Sequence, residues 1–496
     1  MIIKRLKALK EKFLKYDIDG YIIPKNDEYF GEYAKIDRLK IISEFSGSAG
    51  LAIILKKKNY LFVDGRYTLQ AKNQSGKNFQ ILEMPKFFPK NILKKNITLG
   101  INPKLFTKKT LKNYFDNNVN IKNINKDLIA NVNTVGKVKP FYNLKNKITG
   151  ESHQSKINRL CKTLNANKIN YLFITAPENV AWILNIRGFD NPNSPIPNCR
   201  MLLTNKKKIY FFAEPGKVKN IISSKKLKLS QVFNLNKLSD VLLKLSHGNI
   251  AIDSLSCSIY YENLIRSKLN IVSKTDPTYK FKSIKNKVEI QGMIKSHILD
   301  GVALTKFIHW IKSKSKKKIT EISAEKKLEK FRSLNKEYIY PSFNTIAGSG
   351  PNGAIIHYRA TKKSNRVINK KDLFLCDSGG QYKYGTTDVT RTLCFGKQSN
   401  DIKNIYTKVL KGHIAVVTAD LKKYPNGRKI DALARKSLNK SGLDYHHGTG
   451  HGVGFFLNVH EGPQSISKFN KVQIKEGMVL SNEPGYYKEG KYGMRI

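Results

Sequence analysis

The stretch Leu373–Thr392, LFLCDSGGQYKYGTTDVTRT, sets two β-type runs on either side of a Gly-rich turn. Paired symmetrically across that turn, the runs bring Asp377 roughly opposite Asp388. Directly opposed strand residues have Cβ atoms about 5 Å apart, and like charges placed there repel. Asp377 also continues the Leu373/Leu375 face of its run, so it points where apolar residues point. Two buried carboxylates that close together need a proton or cations between them. The plainer alternative is a solvent-exposed hairpin with two indifferent aspartates.

Downstream lies His446-His447-Gly-Thr-Gly-His451-Gly-Val-Gly454, then His460-Glu461-Gly-Pro463. His447 and His451 are four apart, a helical zinc spacing. The glycines at 448, 450 and 452 each cost a helix about 1 kcal/mol, so this is a loop or irregular strand. Glycine in such a track marks a place where backbone closely approaches something. Further on, in Asn482-Glu483-Pro484-Gly485-Tyr486-Tyr487, Pro484 forces Glu483 into an extended conformation ahead of a turn. Asp, Asp, His and Glu form an oxygen-rich donor set with one imidazole, which suits Mn²⁺ or another first-row divalent ion. Paired carboxylates suit two such ions about 3.5–4 Å apart.

Upstream, Val288, Met293, Ile294, Ile298, Val302, Phe307, Ile308 and Ile311 follow a 3.6-residue period and predict a long helix. Before it the chain repeats itself. An amphipathic helix (Leu6, Leu9, Phe13, Leu14) precedes the strand Tyr21-Ile22-Ile23. A second helix (Ile157, Leu160, Leu164) precedes Tyr171-Leu172-Phe173-Ile174. An apolar–KKK–apolar hairpin at Leu51–Val63 recurs at Met201–Phe212. Tyr21 and Tyr171, Lys56 and Lys206, and Tyr60 and Tyr210 all share one offset of 150 residues. The chain is therefore read as α/β (α+β): domains 1–140 and 150–285 as one repeated fold, a Lys/Asn-rich joint near 135–150, and a third domain at 286–496.

The 496 residues carry 90 Lys+Arg against 37 Asp+Glu, a formal net charge of +53. Only 14 of the cations are Arg. Lys, Asn and Ile share A/T-rich codons, and a nucleic-acid reader would rather concentrate Arg and interleave aromatics, so no specific nucleic-acid partner is expected. No run approaches the roughly 18 apolar residues of a membrane span, and the Lys-interrupted N-terminus is no secretory signal. Five cysteines without a CxxC argue for a reducing compartment, the cytoplasm, and against a thiolate zinc site.

The segments Gly350–Tyr358, Asp377–Tyr382, Thr386–Thr392, His447–Gly454, Asn458–Pro463 and Glu483–Tyr487 resemble the aminopeptidase P (Xaa-Pro aminopeptidase) family, in its three-domain cytosolic branch. Val63-Asp-Gly-Arg-Tyr67 and Ala181–Gly188 extend the likeness into both tandem domains. The resemblance implies two creatinase-like N-terminal domains and a pita-bread metallopeptidase domain. It implies a dinuclear Mn²⁺ centre, with a metal-bound hydroxide cleaving the N-terminal Xaa-Pro bond of peptides with proline second. Carried over by motif, Asp377, Asp388, His451 and Glu483 would be metal ligands. His357 and His460 would hold the substrate and stabilise the tetrahedral intermediate, with His451 beside them. His447 would support catalysis from nearby, and Arg66 would reach the substrate across a domain interface. A homodimer is expected, and no membrane. The competing readings are a prolidase-type dipeptidase on the same scaffold and a catalytically impaired pita-bread scaffold that binds partners.

The chain stops at Tyr492-Gly-Met-Arg-Ile496. In the family a Glu that bridges both metals follows the corresponding segment directly. The resemblance thus predicts a C-terminally truncated catalytic domain, with Arg495 and Ile496 in or beside the cleft and a weakened second metal site.

Overall fold

The structure is a computed structural model that describes residues 2–34, 36–93, 95–115, 119–130, 139–313 and 318–496. It divides into two compact units. One holds residues 1–146, 151–192 and 196–278; the other holds 147–150, 193–195 and 279–496. Both N-terminal repeats fall within the first unit. The predicted joint lies partly on residues 131–138, outside the described residues.

Each repeat builds one six-stranded sheet. In the first the strands are Gly20–Pro24, Leu51–Leu55, Asn59–Asp64, Gln80–Met84, Ile97–Ile101 and Val119–Asn123. In the second they are Tyr171–Ile174, Arg200–Thr204, Ile209–Phe212, Val232–Phe233, Asn249–Ile252 and Asn270–Ser273. Numbered by chain order, both sheets run 4-3-2-1-5-6. The senses agree as well: strand 2 is antiparallel to 1 and 3, and the other pairs are parallel. Tyr21 and Tyr171 both sit on the first strand, and each Lys-rich turn joins the second to the third.

The apolar strands explain why these sheets are covered on both faces. Tyr21, Ile23, Ala52, Ile54, Leu61 and Val63 enter one core with Leu6, Leu9 and Phe13. The alternate residues Ile22, Leu51, Ile53, Tyr60 and Phe62 enter another with Leu99 and Phe106. Sheets buried on both faces read as continuous apolar runs. The first predicted helix differs from expectation. It breaks at Glu11 into Ile2–Lys10 and Lys12–Tyr16, and Leu14 is 92% exposed. The equivalent helix in the second repeat, His153–Ala166, starts at Ser152, whose hydroxyl accepts from Ser155 N.

In the second unit the long helix is Lys287–Ser313, and its buried face keeps only Met293, Phe307 and Ile311 of the predicted stripe. Met293, Ser296, Asp300, Ala303, Leu304, Phe307 and Ile311 are buried, whereas Ile294, Ile298 and Val302 are exposed. Asp300 is the reason. Its carboxylate accepts from Arg332 (Nε 2.6 Å, Nη2 3.0 Å) and from Tyr382 OH at 2.7 Å, all three side chains being buried. This ion pair turns a polar residue inward and displaces the apolar stripe. The helix and Glu321–Ser333 pack through Leu304, Phe307, Ala324 and Leu328 against Ala347, Phe374 and Cys376. Those last residues belong to a three-stranded sheet ordered Ile346–Ser349, Phe374–Ser378, Val389–Leu393.

Candidate metal centre

Asp377 lies on the central strand of that sheet, and the partner directly opposite it is Thr390, not Asp388. The stretch between the two aspartates is no simple turn. Gly380–Tyr382 and Gly385–Thr386 pair with each other and with Tyr338–Pro341 in a separate sheet. This excursion shifts the register by two, so the symmetric pairing expected from the sequence is corrected. Asp388, two residues before Thr390, falls on the same face as Asp377 in the diagonal position.

The other predicted ligands come from two later segments. His451 is the middle residue of Gly450–Gly452, which pairs with Glu461–Ile466. The glycines on either side answer the expectation of close backbone approach. A Cβ at 450 would lie 2.0 Å from Ser481 O, and one at 452 would lie 2.3 Å from Glu461 O. Opposite this strand runs the Glu483 segment: Ser481 N donates to His451 O at 2.8 Å and Glu483 N to Thr449 O at 2.7 Å. His451 Nε2 stands 3.2 Å from Asp388 Oδ2 and 3.1 Å from Glu483 Oε1. Donor atoms of Asp388, His451 and Glu483 all lie within 4.8 Å of one another. Asp377 joins them through Arg495, whose Nη2 pairs with Asp377 Oδ2 and whose Nε is 4.0 Å from Glu483 Oε2.

This donor set fits a divalent cation. His451 Nδ1 lies 2.9 Å from the carbonyl of Gly452, which can only accept, so Nδ1 carries a proton and Nε2 is the nitrogen turned to the carboxylates. Burial works against a charge on His451, but the hydrogen bonds its Nε2–H donates to Asp388 and Glu483 hold its pKa well above the ordinary value. The carboxylates thus draw a positive charge to the point where a metal would sit. Burial also opposes ionisation of Glu483, yet His451 and then Arg495 hold its carboxyl well below the usual range. Asp377 is pushed up to about 7 by burial, against the pull of Arg495. Its Oδ1 is buried with no hydrogen-bond partner, an acceptor still open to a cation.

The other predicted residues are distributed unevenly. The His460 ring packs edge-on against His451 with centroids 4.3 Å apart, and it is exposed. His447 donates from Nδ1 to Gly448 O at 2.8 Å and accepts at Nε2 from Tyr487 OH at 2.9 Å. Burial, with Arg495 adding to it, brings the His447 pKa down to about 3, so the ring is neutral. His357 is half-buried in the turn after Gly350–Ala354. Arg66 belongs to the first unit, where Asp64 grips its guanidinium at 2.9 and 2.7 Å.

Two participants were not assigned roles from the sequence. Tyr487 OH bridges His447 Nε2 and Arg495 Nη1, the latter at 3.0 Å. Thr390 receives Arg495 Nε at 3.2 Å. Their signal was present, since both lie inside quoted motifs, but only the folded contacts distinguish them from their neighbours.

The chain is similar to known proteins along its whole length. Residues 5–128 and 133–289 each match a creatinase/prolidase N-terminal domain, and residues 291–496 match metallopeptidase family M24. The chain is 34% identical to "Xaa-Pro aminopeptidase 1" of Dictyostelium discoideum over all of its length and 84% of that protein. It is 36% identical to "Probable Xaa-Pro aminopeptidase P" of Laccaria bicolor, over 99% of this chain and 81% of the relative. The structure of an X-prolyl aminopeptidase from Caenorhabditis elegans, described as a cytosolic enzyme with a di-nuclear active site, superposes with a TM-score of 0.91 at 29% identity, covering 100% of this chain and 87% of that one. Prolidase from Pyrococcus furiosus gives a TM-score of 0.55 at 25% identity, over 68% of this chain and 94% of that one. This chain belongs to the Xaa-Pro aminopeptidase P family, enzymes that join two creatinase-type N-terminal domains to an M24 pita-bread metallopeptidase domain.

Proposed function

We propose that this chain releases the first residue of peptides whose second residue is proline, at a centre of two divalent ions that are Mn²⁺ in the cell. The observation that carries the reading is the convergence of Asp388, His451 and Glu483 donor atoms within 4.8 Å, with buried Asp377 tied to the same cluster. Divalent ions, when bound, supply Lewis acidity and activation of water.

The chain's own residues supply the rest. Asp377, Asp388, His451 and Glu483 would hold the ions. With Gly452 O holding its Nδ1–H, His451 turns Nε2 toward Asp388 and Glu483, and that nitrogen would be the one offered to a metal. His460, seated on the His451 ring, and His357 orient the scissile carbonyl and stabilise the charge that develops on its oxygen. Neutral His447 steadies Tyr487, and through it Arg495. For Arg66, as a substrate-binding residue, the support is the VDGRY motif. The Xaa-Pro bond is a tertiary amide without an N–H. A site that asks for no donor there, and shapes itself to the ring, is what separates this activity from general peptidases.

The relative from C. elegans is a cytosolic enzyme. We extend that location to this chain, together with a homodimeric state. Among the described residues no helix is long and apolar enough to cross a membrane.

The test is a paired assay under added Mn²⁺, with metal analysis of the purified protein. A Xaa-Pro-Xaa tripeptide should be cleaved faster than the matching Xaa-Pro dipeptide, and a chelator should stop both. Faster turnover of the dipeptide would establish the prolidase reading instead. Full metal binding without cleavage of either peptide would establish the scaffold reading.

A further inference from the structure

Behind the histidine track lies a buried ion pair that the reaction itself does not use. Asp431 and Arg435 are one turn apart on the helix Gly427–Asn439, 1% and 3% exposed, and Arg435 Nε donates to Asp431 Oδ2 at 2.8 Å. A pair at this spacing on an exposed helix is worth only tenths of a kcal/mol. Here neither charge faces water. The remaining guanidinium donors go to the backbone of the site: Nη2 to His447 O at 2.6 Å, and Nη1 to Tyr445 O at 2.8 Å. Nη1 also meets Asp444 Oδ1 at 2.6 Å, and the guanidinium stacks 3.9 Å from the Tyr445 ring centroid.

Asp431 works on the next residues of the same track. Its Oδ1 accepts from Thr449 Oγ1 at 2.6 Å, and that hydroxyl also meets Tyr445 OH at 2.5 Å. Thr449 is wholly buried, and its carbonyl is the one that receives Glu483 N. Glycines at 448, 450 and 452 leave this track little stiffness of its own. Ligand bonds of about 2.0–2.2 Å tolerate little wandering.

We infer that Asp431, Arg435 and Thr449 are positioning residues: a buried clamp that holds the His447–His451 backbone and hangs Glu483 from it, and so sets the metal affinity of the site. A planar fork serving two carbonyls and two carboxylates at once is a task for Arg, not Lys. The inference rests on the metal reading given above. Groups that orient metal ligands without touching the metal change affinity about 10–100-fold when removed.

The test compares Arg435→Lys and Thr449→Val with the parent chain, with Thr449→Ser as the conservative variant. Mn²⁺ affinity is measured by calorimetry, and amide hydrogen exchange is followed at residues 447–451 and 483. Affinity about 10–100-fold weaker in Arg435→Lys and Thr449→Val, with faster exchange at those amides and both effects reversed in Thr449→Ser, is the expected result. Unchanged Mn²⁺ affinity in folded Thr449→Val overturns the clamp even if the melting temperature falls, because a merely structural role would lower stability alone. Thr449→Val decides the matter if Arg435→Lys does not fold. A parent chain that binds no Mn²⁺ refutes the metal reading. In that case the exchange comparison decides the clamp: faster exchange at 447–451 and 483 supports it, and unchanged exchange overturns it.

Discussion

Arg495 and Asp377, 118 residues apart in the chain, form an ion pair with 2% and 8% of their side chains exposed. Arg495 sits on the strand Tyr492–Arg495, opposite Gly485, which places it beside Glu483 as well. Its guanidinium offsets Asp377 and, at longer range, Glu483. Replacing it by Met strands Asp377, and breaking a buried pair in this way costs about 3–5 kcal/mol. Arg495→Met should therefore melt earlier than the parent. Added Mn²⁺ should raise its melting temperature by more than it raises the parent's, since a ligand of the native state stabilises by mass action. An equal Mn²⁺ increment in both proteins would show that Arg495 does not offset the metal-binding charges.

Asp388 contributes one of the three donor atoms that converge within 4.8 Å. Asp388→Asn keeps its size and removes the anionic donor. We expect at least a ~100-fold loss of metal-dependent cleavage, the upper end of what even indirect partners of a metal cost. The far-ultraviolet circular dichroism should not change. Parent-level turnover in this variant would remove Asp388 from the centre.

Glu461 lies between Lys282 and Lys285, with the Lys282 contact at 3.1 Å and all three side chains no more than 3% exposed. Glu461→Gln leaves two buried ammonium groups without a counter-charge, at a cost of about 3–5 kcal/mol. For a unit of roughly 200 residues this corresponds to a melting temperature about 6–20 °C lower. Calorimetry of the variant checks it. A shift under 2 °C would mean that the lysines find other partners.

His153 opens the helix His153–Ala166. Burial pushes its imidazole down from 6.5 to about 4, and the Lys226 ammonium adds to the shift. The unfolded chain then binds an extra proton between those two values. The folded state keeps its full stability above pH 6.5, loses it progressively as the pH falls toward 4, and loses no more below that. The ring is half-exposed, so solvent screening limits the loss to about 1–2 kcal/mol. His153→Gln should flatten the melting temperature across pH 4–6.5, and an identical acid slope in both proteins would assign the slope to other groups.

Local pattern was enough for the sheets of the N-terminal half and for picking out Asp388, His451 and Glu483, which the fold brings together. Unbroken apolar strands demand cover on both faces, and the 150-residue offset marks two copies of one plan. Both sheets accordingly run 4-3-2-1-5-6 with the same strand senses. The residues of the candidate centre stood out because each sits in a short stretch whose polarity or glycine content conflicts with its surroundings. Register was not legible. Asp377 stands opposite Thr390 because the residues between the aspartates leave to join another sheet, and a two-residue shift depends on that distant partner. The buried face of the long helix was decided by Asp300 finding Arg332 32 residues away, which no periodicity encodes. The sequence does not mark Arg435 out among the Lys and Arg around it; only in the folded chain does its guanidinium meet the carbonyls of Tyr445 and His447. Periodicity reports which residues avoid water. Which charges are worth burying depends on partners far along the chain, and only the tertiary structure brings them into reach.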